Sequence, residues 1–261
     1  MDKTLRTAAT GLSAQQRYVE IIANNIANVN TYAFKKVRPE FQDLLYETIK
    51  PMGNVQRTGT EPPNEVQIGS GTELVAATKI FSQGDIVETG NPLDMAINGD
   101  GFFVVIRPDN TYAFTRDGSF HIDRNGEVVT SQGYRLEPNI VIPQDAVGVD
   151  VSRDGFVKAI FENGEEQILG QILLARFINP AGLRAIGENT FVETPASGPM
   201  ILEQPGYNNT GEIIQRHLET SNVDIVEEMV NMIMAQRAYE LNAKSVQTAD
   251  NIMNTAVNLK R

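Results

Sequence analysis

The side chains able to carry chemistry are few and poorly grouped. The 261-residue chain has no cysteine and only two histidines, which excludes a disulfide framework, a thiolate nucleophile and any sulfur-based zinc site. His121 falls in an expected strand and His217 just before an expected helix, neither with a second histidine at helical or hairpin spacing. Each reads as a surface or hydrogen-bonded side chain, not a metal ligand. Asp94, Asp100 and Asp117 are conceivable members of a carboxylate pair for glycoside hydrolysis, yet nothing selects them over ordinary turn and cap carboxylates of a β domain. Gly99-Asp100-Gly101 and Gly69-Ser70-Gly71 lack the third glycine and the helix start of a phosphate cradle. Asp123, Asn125, Gly126 and Glu127 imitate a calcium loop, but the glycine comes too early and no bidentate glutamate follows; an Asn-Gly hairpin explains the same four residues. Asn208-Asn209-Thr210 is a glycosylation sequon without a secretory context. The expectation is a chain that is not an enzyme and needs no cofactor or metal.

Charge narrows the partners. A formal net charge of −11 repels phosphate backbones and anionic membrane surfaces, so neither nucleic acid nor membrane insertion is expected. No run approaches the roughly 18 apolar residues of a transmembrane helix, and the N-terminal residues lack the apolar stretch of a cleavable signal peptide. The acidic excess lies in the middle of the chain; residues 1–40 hold six Lys or Arg against three Asp or Glu.

The elements that would position any function are two helical ends and a β-rich middle. Leu5, Ala8, Leu12, Gln15, Val19, Ile22, Ile26 and Val29 recur in steps of three and four, the period of a helix-packing seam. Ile225, Met229, Met232, Gln236, Tyr239, Ala243, Val246, Asp250, Met253 and Val257 repeat that rhythm, with Ser221 or Asn222 as the expected helix cap. Between them, Asp117-Gly118, Asn125-Gly126, Asp154-Gly155 and Asn163-Gly164 punctuate short Val, Ile, Phe and Tyr runs, the signature of strands joined by tight turns. Residues 112–130 read as three successive strands of a meander. The segment from Pro51 to Gly71 has neither period and reads as an extended connector. The expected fold class is therefore mixed α and β: terminal α-helices forming a coiled-coil core, with a β-rich middle domain of short antiparallel strands. The expected divisions are a core helix over 1–34, a connector over 35–71, an outer β domain over 72–218 and a second core helix over 219–261.

Faces away from the seams carry little charge, with many Ala, Asn, Gln and Ser. Pairing of the two ends within one chain would bury the seams but leave these small faces unexplained. The favoured expectation is that they meet other copies, in contacts that do not close and so generate a helical tube. Leu5, Leu12, Val19, Ile22, Ile26, Val29, Ile225, Met229, Met232, Tyr239, Ala243, Val246, Met253 and Val257 are the expected assembly residues.

Three segments, IIANNIANVNTYAFKK (21–36), QGDIVETGNPLDMAINGDGFFVV (83–105) with YAFTRDGSF (112–120) and GEVVTSQGYRL (126–136), and ETSNVDIVEEMVNMIMAQRAYELNAKSVQTADNIM (219–253), resemble the rod and hook proteins of the bacterial flagellum. Length and FQDLLYETIKP (41–51) are most similar to its distal-rod branch, with a proximal rod or hook-type axial protein as alternative; a secreted glycan-binding β domain is the reading from another class. The resemblance implies a torque-transmitting homo-oligomeric tube with the helices inside and the β domain outside. It implies proximal rod proteins, hook protein, a rod cap and surrounding ring proteins as partners, in a rod crossing the periplasm after export without a cleavable signal peptide. One position departs from the pattern: Ala33 replaces the glycine of T-x-G-F-K. Alanine resists positive φ, so a left-handed turn is not assured there and another path out of the first helix stays open.

Overall fold

The computed structural model describes residues 2–50 and 66–258; residues 51–65 of the expected connector, and the chain's extreme ends, lie outside them. The described residues form two compact units, one drawn from 2–27, 37–50, 66–78 and 224–258, the other from 28–36 and 79–223.

In the first unit, helix α1 spans Asp2–Ala27 and helix α2 spans Ile225–Asn258. They pack antiparallel: Gly11 faces Asn242, whose amide nitrogen would lie 3.1 Å from an added Cβ, while Tyr18 lies within the field of Glu228 and Glu227. The Asp224 carboxylate caps α2, accepting from the N–H groups of Val226 at 2.8 Å and Glu227 at 3.2 Å. The expected caps are not used: the hydroxyl of Ser221 accepts only from Val223, and Asn222 is drawn into the second unit. The described parts of the expected connector are strands. Val37–Asp43 pairs with Thr72–Lys79, and Tyr46–Lys50 pairs antiparallel with Val66–Gly69. Asn25 ties the end of α1 to the first of these, its amide bonding both N–H and C=O of Val37 at 3.0 Å.

The second unit is built on the strand Phe102–Ile106, whose continuous apolar run reflects burial on both faces. Phe103 and Val105 point into a core with Phe120, Leu136, Ile172 and Ile213; Phe102 and Val104 point to the opposite face, with Phe114, Phe177 and Phe191. Edge-on ring contacts hold each side, Phe103–Phe120 at 5.2 Å and Phe114–Phe177 at 4.7 Å. A separate antiparallel sheet comprises Ala146–Val151, Phe156–Phe161 and Glu166–Gln171, turned at Asp154-Gly155 and Asn163-Gly164 as expected.

The expected meander is half right. Phe120–Ile122 and Val128–Thr130 form the Asn125-Gly126 hairpin, but Tyr112–Thr115 pairs with Phe102–Ile106 and Thr190–Val192, not with Phe120–Ile122. Gly118 explains the difference. Its carbonyl accepts from the Met95 N–H, and a Cβ there would fall 1.6 Å from the Met95 carbonyl oxygen, so Asp117-Gly118 docks on another strand instead of closing a hairpin.

Ala33 adopts φ +57° despite its side chain. The left-handed turn costs about 1–2 kcal/mol for a residue with a Cβ, and neighbouring bonds impose it: Ala33 N–H donates to the Glu219 carbonyl at 2.8 Å and Lys36 N–H to Asn222 Oδ1 at 2.7 Å. Ala33→Gly should therefore leave the stability of this unit unchanged or raise it by up to about 1 kcal/mol, whereas Ala33→Val should lower it by about 2 kcal/mol or more. Thermal unfolding followed by circular dichroism checks both; an unchanged midpoint for the valine variant would contradict the assigned strain.

Candidate assembly interface

In the first unit the fully covered helix positions are mostly small or polar, with Ile22 as the large apolar exception. The buried positions are Ala8, Ala14, Ile22 and Asn25 on α1 and Glu228, Ala235 and Ala249 on α2, mostly small side chains that let the backbones approach closely. Of the residues expected to mediate assembly, Ile22 is buried, and Leu5, Leu12, Val19 and Ile26 on α1 and Met232, Ala243, Val246 and Met253 on α2 are half-buried. Val29 is half-buried but lies beyond the end of α1, in the second unit. Ile225, Met229, Tyr239 and Val257 are exposed. The inward face of α2 thus passes through positions 228, 235, 242 and 249, beside the stripe read from the sequence. Val226, Val230, Ile233, Met234 and Leu241 are also exposed, and the seven-residue period gave no reason to include them. The signal that could have found them is the density of Ile, Val and Met in the first three turns, IVEEMVNMIMA, which exceeds what one heptad stripe needs. Burial and two nearby carboxylates, Glu228 and Glu227, raise the Tyr18 hydroxyl above its ordinary pKa.

In the second unit the three motif-bearing segments converge on one carboxylate. Glu219 is fully buried, and its Oε1 accepts from Lys35 Nζ at 2.5 Å and from the Gly84 N–H at 2.9 Å. Its Oε2 accepts from Arg116 Nε at 2.8 Å. Lys35 also donates to the Ser82 carbonyl at 2.7 Å, and Arg116 Nη2 to the Gly99 carbonyl at 2.7 Å. The Arg116 guanidinium lies 5.9 Å from the centre of the Phe102 ring. Two cations share one anion, so the cluster is net positive in a dry environment. Loss of hydration pulls the Lys35 ammonium below its ordinary pKa, with Arg116 acting in the same direction and Glu219 against it. Asn222 adds a clasp, accepting from Lys36 N–H and donating to the carbonyls of Ile80 at 2.9 Å and Ser82 at 3.1 Å. None of Lys35, Arg116 or Glu219 stands out in the sequence, because loop charges normally face water.

Of the carboxylates weighed for catalysis, Asp94 and Asp117 are held by neighbouring donors, while Asp100 lines a cleft with Phe81, Phe102 and Arg176. Asp94 accepts from Thr89 Oγ1 at 2.6 Å and Asn91 Nδ2 at 2.8 Å, and Asp117 from the N–H and hydroxyl of Ser119. His217 Nδ1 lies 2.7 Å from the Gln215 carbonyl, and His121 Nε2 3.3 Å from the Ser131 hydroxyl. No helix among the described residues is long and apolar enough to cross a membrane.

Comparison with known proteins places the chain in a family. Residues 5–35 match the family model of the flagella basal body rod protein, residues 96–159 that of the flagellar hook protein FlgE/F/G D1 domain, and residues 214–259 that of the flagellar basal body rod FlgEFG protein C-terminal. The flagellar basal-body rod protein FlgG of Borreliella burgdorferi is 50% identical over 264 residues, covering 100% of both chains. The chain belongs to the flagellar basal-body rod protein family. FlgG of Caulobacter vibrioides is 44% identical over 260 residues, 99% of each chain. The flagellar hook protein FlgE of Salmonella typhimurium is 36% identical over 189 residues, 71% of this chain but 44% of the hook protein. This rod-family chain is thus matched end to end by rod proteins and only in part by the longer hook protein. The buried cluster lies among the residues that carry the likeness, with Lys35 at the edge of the first match, Arg116 in the second and Glu219 in the third.

Glu219→Gln leaves Lys35 and Arg116 buried without an anion and should cost about 3–5 kcal/mol. Lys35→Met leaves a neutral Arg116–Glu219 pair and should cost less. Denaturant unfolding of the two variants, read on the β-rich unit, checks the order; a larger loss for Lys35→Met would contradict the charge accounting.

Proposed function

We propose that this chain is a structural subunit of the flagellar distal rod, polymerising into a helical tube that transmits torque from motor to hook. The observation that carries the reading is the exposed apolar surface of α2 in a member of a rod family: Ile225, Met229, Tyr239 and Val257 face solvent in the single chain. Burying each large apolar side chain between copies contributes roughly 1.5–3 kcal/mol, and a helix surrounded by neighbours offsets the ordering of the chain ends. In the tube the terminal helices form the coiled-coil core, α1 contributing Leu5, Leu12, Val19 and Ile26, while the β-rich unit lies outside. Partners are further copies of the chain, proximal rod proteins, the hook protein, the rod cap and surrounding ring proteins. The rod stands in the basal body and crosses the periplasm, its subunits exported without a cleavable signal peptide. End-to-end correspondence with rod proteins favours this over a hook subunit.

Ile22 is buried within the single chain, so a charge there would damage the subunit itself and says little about assembly. Exposed positions separate the two effects. Met229→Asp and Tyr239→Asp should leave the circular dichroism spectrum and melting of the monomer within error of the parent, yet abolish sedimenting polymer and rod formation, because a buried unpaired carboxylate costs several kcal/mol per contact. Polymer formed by both variants at parental concentration would remove α2 from the contact.

A further inference from the structure

Two short segments in different units are built alike. Leu45 and Ile178 are the most exposed large apolar side chains among the described residues, at 89% and 80%. In each case the preceding residue turns inward: Leu44 is half-buried, its N–H donating to the Gly71 carbonyl at 2.8 Å, and Phe177 is buried in the aromatic cluster. Two positions before each knob stands a charge, Asp43 in one segment and Arg176 in the other, and the signs are opposite. Neither has an ion-pair partner among the described residues. Asp43 is hydrogen-bonded to the Tyr46 hydroxyl, and Arg176 Nη1 donates to the Asn208 carbonyl at 2.5 Å. Both charges close a strand, Asp43 the strand Val37–Asp43 and Arg176 the strand Leu174–Arg176, so each segment carries a charge two positions before an aliphatic knob. Arg176 and Ile178 line a cleft of about 300 Å³ whose walls include Phe81, Phe102 and Pro180. Asp100 and Arg116 also line this cleft, but Arg116 is committed to Glu219, which leaves Arg176 as the cation open to a partner carboxylate.

We infer that the Asp43–Leu45 segment of one copy docks in the Arg176–Ile178 cleft of another, Leu45 against Ile178 and the aromatic walls, and Asp43 paired with Arg176. The occupant is a second copy because the chain itself supplies both halves, matched in spacing and complementary in charge. The inference rests on the rod reading, and it adds a contact made by the β-rich unit to those made by the helices.

The absence of cysteine from the chain makes the test free of background. Cells produce two differently tagged chains, one Leu45→Cys and the other Ile178→Cys, and their basal bodies are purified under oxidising conditions. A disulfide-linked heterodimer is expected, and none when Ile178→Cys is exchanged for Asn163→Cys, an exposed turn residue outside the cleft. Asp43→Arg or Arg176→Glu alone should lower the yield of rods at least tenfold, and the two together should restore it. Basal bodies that hold both tagged chains without the heterodimer, or a cross-link from Leu45→Cys to a different protein, overturn the docking and leave the rod reading standing. Basal bodies that lack even the unaltered chain overturn both.

Discussion

The β-rich unit is organised around a carboxylate that cannot reach water. Glu219 must neutralise Lys35 and Arg116 inside the protein, and an ion pair removed from solvent tolerates little misplacement, since its attraction offsets desolvation only when hydrogen bonds complete each group. That requirement brings together a segment following the first helix, the residue after the strand Tyr112–Thr115 and the short strand His217–Glu219 that precedes the last helix. The Gly84 N–H, the Ser82 carbonyl and the Gly99 carbonyl complete the polar shell. The same neighbourhood enforces the left-handed turn at Ala33, because the Glu219 backbone carbonyl is the acceptor for Ala33 N–H.

The helical unit obeys a different constraint. Small residues at the contact between α1 and α2 allow close approach but bury little apolar area, so the pairing leaves most of the large side chains of α2 unsatisfied. A helix that exposes this many large apolar side chains in its first turns leaves them for further surfaces to cover. The pairing within one chain and the proposed packing among copies therefore use different faces of the same helix: small residues serve the first, and Met, Ile, Val and Tyr serve the second. Buried polar chemistry thus organises one unit, and exposed apolar surface marks the other.

The residues weighed for catalysis show how one residue type acquires different roles. Asp94 and Asp117 are surrounded by hydroxyl and amide donors from their own turns, Asp224 caps a helix, and Asp43 stands beside an exposed leucine. Only the local donors distinguish them. Glycine is equally context-bound: Gly164 turns a hairpin in open space, Gly126 and Gly155 turn hairpins against the carbonyls of Ile142 and Ile172, and Gly118 makes room for the Met95 carbonyl without closing a hairpin.

Period and punctuation determined the two helices, the β-rich middle and three of its four marked turns, because these depend on residues adjacent along the chain, and the motif segments likewise carried the family. Which face of α2 turns inward was not legible: a heptad marks the apolar positions, while the covered face runs through Glu228, Ala235, Asn242 and Ala249, with Asn242 against Gly11. Nor was the partner of Tyr112–Thr115, decided by the fit of Gly118 on Met95. The buried cluster was beyond local reasoning altogether. Lys35, Arg116 and Glu219 are separated by scores of residues, each alone resembles an exposed charge, and only the closed fold removes the water that would otherwise have kept them apart.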